Sequence, residues 1–314
     1  MKHLLNYSVY QDLGELGPDL HSLLKDIRCD GLEMLTSHSP ADPALKEYTV
    51  SVHLPYATDW MAAWNDEPYE MDPSYTKYYM YGTDHDSVIS TITDMINYAA
   101  PLEPAHGVIH ACNVSMKELY KRNYSGDSKR ILETLCEVMN TVVSGFPHNE
   151  PPFKIVFENL WWPGLRLQDD SDYRILEKHL EFEDWGICLD TGHLMNTLPV
   201  SSELEGIDVL LKIFDGYSQD LKDSISAMHF HYSDSWEYRR SFQERTYEGG
   251  LITDFILDAY KHISTLDRHL PYTNKRCNEL VEVIEPELLI HELPGRSRGP
   301  VQDFIQQRSL MNDF

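Results

Sequence analysis

The stretch WGICLD, residues 185–190, is an apolar run that stops on a carboxylate, Asp190. Three other short runs stop in a similar way: KIVFE at Glu158, AMHFH at His231 and LLIHE at Glu292. A carboxylate or imidazole directly after a buried strand is costly to keep unless something there binds it. The order and chemistry of the four residues describe a divalent metal held at one end of a parallel barrel, and therefore an enzyme.

Outward from these runs, short apolar segments alternate with helical patterns along the chain, as in β/α units around a parallel sheet. Candidate strands cover residues 3–9, 30–35, 49–54, 106–111, 153–158, 185–190, 225–231 and 287–292. Eight strands predict an α/β fold, a closed (β/α)8 TIM barrel, with residues 1–314 as a single domain. Residues 85–99 place Val88, Ile92, Met95, Ile96 and Ala99 on one helical face, and 128–143 do the same with Ile131, Leu135, Val138, Met139 and Val142. Residues 203–214, 251–266 and 300–311 read as further helices.

Two connections far exceed the usual βα loop, one after strand 3 from Pro55 to Asp84 and one after strand 7 from Tyr232 to Glu285. Both would hang over the C-terminal face, where barrel enzymes carry their sites. The first holds Trp60, Trp64, Tyr69, Tyr75, Tyr78, Tyr79 and Tyr81. Such a set of rings makes either a lid that stacks on a sugar ring, with Trp60 touching the substrate, or a surface excursion packed on itself. The second reads as one clear helix plus the polar stretch SDSWEYRRSFQERTYEGG.

A formal net charge of -25 weighs against nucleic acid as a partner, because phosphate binding depends on Lys and Arg. The composition, 42% hydrophobic and 25% charged, is that of a globular chain. The five cysteines are scattered, without metal or disulfide spacing, and read as buried small hydrophobes in a reduced compartment. The N-terminus is too polar for a signal peptide and no run is long enough to span a membrane. A cytoplasmic protein is expected, with a homo-oligomer left open.

Glu158, Asp190, His231 and Glu292 end strands five to eight in this assignment, so one ion could touch all four. Three carboxylates and an imidazole suit Mn, Mg, Co or Zn. His193, in LDTGH, follows a Gly192 that allows a tight turn back over the site. His229 and His231 share one face of a strand. The one nearer the strand end, His231, is assigned to the metal, and His229 is placed deeper. His53 and His110 bring two more imidazoles to the same rim, as substrate contacts, as ligands of a second metal, or as structural histidines bonded to carbonyls. Arg296 and Arg298 either meet a substrate phosphate or carboxylate or form surface ion pairs.

At VHLPY, FENL, CLDTGH, HYSDS and, more weakly, IHEL, the chain resembles the xylose isomerase-like TIM-barrel superfamily. That superfamily includes sugar phosphate isomerases and epimerases and the endonuclease IV type of apurinic-site nuclease (AP endonuclease family 2). DGLEM resembles a frequent family motif and would put Glu33 near the pocket. In the epimerase branch, the resemblance implies that Glu158, Asp190, His231 and Glu292 hold one metal. Glu158 and Glu292 would be the acid/base pair for an enediolate reaction, and His193 would contact the substrate. The nuclease branch adds strand-end histidines similar to His53 and His110, and a trinuclear zinc cluster that also uses an Asp-x-His pair after strand seven. That pair has no counterpart in the stretch ending QERTYEGG. The leading expectation is therefore a metal-dependent isomerase or epimerase of a sugar-like small molecule. The alternatives are a phosphodiesterase of endonuclease IV-like type on a non-DNA substrate, or a lyase or dehydratase of an oxidised sugar or glycoside.

Overall fold

All eight candidate strands form: β1 Lys2–Ser8, β2 Gly31–Leu35, β3 Thr49–His53, β4 His106–His110, β5 Lys154–Glu158, β6 Trp185–Asp190, β7 Ile225–His229 and β8 Leu288–His291. They pair in sequence order, every neighbour parallel, and β8 closes on β1 to complete the TIM barrel. The structure, a computed structural model, describes residues 1–17, 19–68, 76–246, 252–293 and 299–312.

Successive strand side chains point to opposite faces, so each run serves two cores. Leu4, Val108, Val156, Cys188, Ala227, Leu288 and Ile290 form a small apolar cluster inside the barrel. The larger core lies between the sheet and the helices around it. Above the inner cluster the interior turns polar, with Glu33, Ser51 and His229 fully buried.

The helix His85–Ala99 begins at a capping box in which Asp84 and Ser87 satisfy each other's backbone N–H groups. It buries Val88, Ile92, Met95, Ile96 and Ala99, the five positions expected from its periodicity. A cap contributes about 1 kcal/mol, whereas each large apolar side chain buried here contributes about 1.5–3 kcal/mol. Packing on the sheet therefore outweighs capping. The helices Ser128–Val143 and Glu203–Gly216 follow the same pattern, whereas the last, Pro300–Arg308, stops short of residue 311.

The connection after β7 carries more structure than the single helix expected. Among the described residues it contains the helices Trp236–Ser241, Ile252–Leu266 and Cys277–Ile284. β7 also ends earlier than the apolar run suggests. The backbone N–H of His231 leaves the ladder and donates to the Thr191 hydroxyl at 3.3 Å, and Tyr232 then pairs with Leu270. Among the described residues no helix is long and apolar enough to cross a membrane.

Candidate metal centre

The strand ends bring chemistry to one face of the barrel. His53, His110, Glu158, Asp190 and His229 are the last residues of β3 to β7, and Glu292 follows β8 by one residue. Register explains how they meet. His110 sits beside Glu158 in the β4–β5 ladder, and Asp190 sits beside His229 in the β6–β7 ladder.

Three groups of donors follow, each with its ligand atoms within 4.8 Å of one another. The first is His53, His110 and Glu158; the second is Glu158, Asp190, His229 and Glu292; the third is His193, His231, Asp267 and His269. Glu158 belongs to two of them. Its Oε2 lies 3.1 Å from His53 Nε2 and 3.2 Å from His110 Nε2, while its Oε1 lies 2.9 Å from His229 Nδ1.

Backbone carbonyls and carboxylates orient the imidazoles. His53 Nδ1–H donates to the Leu54 carbonyl at 2.7 Å, His193 Nδ1–H to that of Asn159 at 2.9 Å, and His269 Nδ1–H to that of Glu292 at 2.9 Å. A carbonyl only accepts, so each Nδ1 must carry the proton in the neutral ring, which leaves each Nε2 lone pair facing its donor group. His229 is turned the other way. Its Nδ1 faces Glu158 and Glu292, at 2.9 and 3.2 Å, and its Nε2 lies 2.8 Å from Glu33 Oε1, although short of hydrogen-bond angle.

Asp190 ties the second group to the third. Its Oδ1 accepts from the His193 backbone N–H at 2.6 Å, capping the short helix Thr191–Met195, and its Oδ2 meets His231 Nε2 at 2.9 Å. The Asn159 side chain both donates to the Asp190 carbonyl and accepts from its N–H, locking the ends of β5 and β6 together.

The electrostatics are those of carboxylates held by imidazoles. Burial alone would push the Glu158 carboxyl up, but His229 and His110 override it and hold it well below the usual carboxylate range. Burial likewise lowers His269, and the charges of Asp267 and Glu292 outweigh it and lift the ring to about 9. His193 moves the same way under Asp190 and Asp267. For His110 burial prevails and the ring is lowered.

Several expected placements change. The group of Glu158, Asp190 and Glu292 takes His229, whereas His231, past the strand end, turns to stack on His269 with ring centroids 4.0 Å apart. Gly192 adopts no left-handed conformation; its missing Cβ is required because one would collide with the His231 ring. Glu33 is wholly buried beneath His229, with Ser51 donating to it at 3.0 Å, so it does not reach a substrate.

Trp60 is 2% exposed and donates its indole N–H to the Cys112 carbonyl, so it packs as core and cannot stack on a ligand. Tyr79 and Tyr81 are buried as well, so the described part of the connection after β3 packs on the protein. Its exposed ring is Tyr56, 44% accessible and stacked on His110 at 4.7 Å. Arg296, Arg298, Tyr69 and Tyr75 lie outside the described residues.

Asp267 and His269 are the donors that sequence reading missed. The signal was the Asp-Arg-His spacing at 267–269, separated from β7 by the helix Ile252–Leu266 and so beyond the stretch where such a pair was sought.

No protein-family profile matches the chain, and no curated protein matches it in sequence. Solved structures do match its fold. Endonuclease IV from Thermus thermophilus superposes with a TM-score of 0.55 and 14% identity, over 100% of both chains. A 3-keto-D-glucoside 4-epimerase from E. coli gives 0.53 and 12%, again over 100% of both. A D-psicose 3-epimerase gives 0.51 and 11%, over 98% of this chain and 90% of that one. The likeness is one of fold: the chain is a (β/α)8 TIM barrel.

Proposed function

We propose that the chain is a multinuclear, divalent-metal-dependent phosphoester hydrolase acting on a non-DNA phosphodiester, rather than the isomerase or epimerase that its motifs first suggest. The observation that carries this reading is the set of three adjoining donor groups, two of which share Glu158. Enediolate chemistry in this superfamily calls for the group around Glu158, Asp190, His229 and Glu292 alone. It leaves no metal-binding task for His53 and His110, or for the Asp267–His269 pair. The nuclease resemblance accounts for both, and the pair that the sequence seemed to lack is present.

The residues fit divalent cations on chemical grounds. Imidazoles and carboxylates make up every group, without a thiolate: burial pushes the neighbouring Cys188 thiol up to about 12. His231 Nδ1 and Glu292 Oε2 are buried there without a hydrogen-bond partner, an arrangement that costs about 1–3 kcal/mol per group unless something binds it. Ions held here would neutralise charge on phosphoryl oxygens and supply a nucleophile from water at neutral pH.

The chain's own residues do the rest. Glu158 spans two groups with its two oxygens, and Asp190 couples the second to the third through His231. The carbonyls of Leu54, Asn159 and Glu292 keep three rings from rotating, so the donors are preorganised. Tyr56 offers a flat, exposed face at the mouth for a planar part of the substrate. The net charge of -25 supports a substrate smaller than a duplex.

The test is metal counting with a model diester. Purified protein loaded with Zn or Mn should carry about three ions per chain by elemental analysis, one for each donor group. It should cleave bis-(para-nitrophenyl) phosphate in a reaction that a chelator abolishes. A single ion per chain, no diester cleavage, and exchange of a ketose C–H proton with solvent deuterium would overturn this reading in favour of the epimerase one.

A further inference from the structure

The chain holds 51 acidic and 26 basic residues, so carboxylates outnumber the cations that could pair with them. Arg174, Arg240, Arg245, Arg268 and Arg276 each pair with one. Arg166 and Arg239, both partly buried, have none within 4.0 Å among the described residues. Arg239 instead donates to the Leu198 carbonyl at 2.9 Å and lies over the Trp236 ring at 5.4 Å.

The two arginines belong to one cluster. Both act electrostatically on the Tyr124 hydroxyl, and Arg166 disfavours the charge on Arg239. The Tyr124 hydroxyl also faces the indole N–H groups of Trp161 and Trp162. Those two indoles are 6% and 3% exposed, and each Nε1, like Arg166 Nε, is buried without a formed hydrogen bond. Indole and guanidinium nitrogens only donate. The cluster therefore presents donors from several directions around one phenol oxygen, and a hydroxyl can turn to donate as well.

Its place in the fold gives this chemistry a use. Tyr124 follows β4, Trp161, Trp162 and Arg166 follow β5, and Arg239 follows β7, all on the face that carries the metal-type donors. Trp161 stands against His193, with ring centroids 5.1 Å apart.

We propose that Tyr124, Trp161, Trp162, Arg166 and Arg239 form an anion subsite beside the metal centre, which holds a phosphate of the substrate remote from the bond that is cleaved. Where that phosphate sits relative to the reacting group rests on the hydrolase reading; the anion site itself does not. Donors arriving from three loops suit a tetrahedral oxyanion better than a planar carboxylate. The substrate class is then a phosphodiester bearing a second phosphate, and the acidic surface elsewhere would discourage longer polyanions.

The experiment is a calorimetric titration of the full-length, metal-loaded protein with inorganic phosphate. Two classes of site are expected, one at the metals and one at the subsite. Arg166→Ala and Arg239→Ala should each weaken the second by about tenfold or more while leaving the first unchanged. Trp162→Phe, which keeps an aromatic ring and removes the N–H, should weaken the same site in a protein whose far-UV circular dichroism matches wild type. Phosphate binding indifferent to all three changes overturns the proposal, as does an arginine-dependent site that prefers acetate to phosphate. Failure of the hydrolase reading would show separately, as one ion per chain and no diester cleavage by wild type, with the phosphate result still standing.

Discussion

Glu33 shows how a single buried carboxylate on β2 can decide the behaviour of a histidine at the end of β7. Its Oε1 lies 2.8 Å from His229 Nε2, and Ser51 steadies its other oxygen at 3.0 Å. The Glu33 charge favours a proton on the nearer nitrogen, Nε2, even without hydrogen-bond geometry, and the Nδ1 lone pair is then left for the second donor group. Glu33→Ala should therefore weaken metal binding by about 10–100-fold, whereas Glu33→Gln, which keeps an oxygen dipole beside the ring, should weaken it less. Chelator-competition titrations would measure this, and equal affinities in wild type and Glu33→Ala would refute the role. The motif DGLEM points to Glu33, but its floor position depends on the β2–β3 register, which pairs it with Ser51.

Short elements carry the third donor group, and their geometry is sensitive to small changes. The helix Thr191–Met195 packs against the His231 ring at Gly192, where there is no room for a Cβ. Gly192→Ala should displace His231 and remove about one ion per chain while the other groups still load, as elemental analysis would show; an unchanged ion count would contradict this. The helix Ile252–Leu266 supplies a separate pH effect through His262. Burial pushes this ring from 6.5 down to about 4, while it donates to the Leu119 carbonyl and accepts from the Tyr238 hydroxyl. Between those two pH values the unfolded chain binds a proton that the folded one refuses. The contribution of this ring to stability is thus full above pH 6.5 and is lost as pH drops towards 4. Denaturant titrations across that window should show a shallower loss in His262→Gln than in wild type, and parallel slopes would discount the effect.

At the scale of the whole molecule, the barrel gathers Glu33, Glu158, Asp190, Asp267 and Glu292 at one end of a chain whose net charge is already -25. Imidazoles offset part of that repulsion, and bound cations would offset more. An ion present at a hundred times its dissociation constant stabilises the fold by about 2.7 kcal/mol. Treatment with a chelator should lower the melting temperature by several degrees and restoring Zn or Mn should recover it. A melting temperature indifferent to both would argue that these groups do not bind ions.

The sequence by itself determined the barrel and most of the rim. Period-two strands and period-3.6 helices are local patterns, and His53, His110, Glu158, Asp190 and Glu292 sit at or beside strand ends, where the parallel barrel must bring them together. Tertiary structure alone decided which histidine of β7 joins Glu158, because that turns on where the ladder stops and on which ring nitrogen Glu33 faces. It also decided the third group. A 15-residue helix separates β7 from Asp267 and His269, and only the packing of that long connection over the barrel mouth returns them to His193 and His231. The arginines and indoles beside them were equally invisible in sequence, since a missing carboxylate partner is a property of neighbours in space.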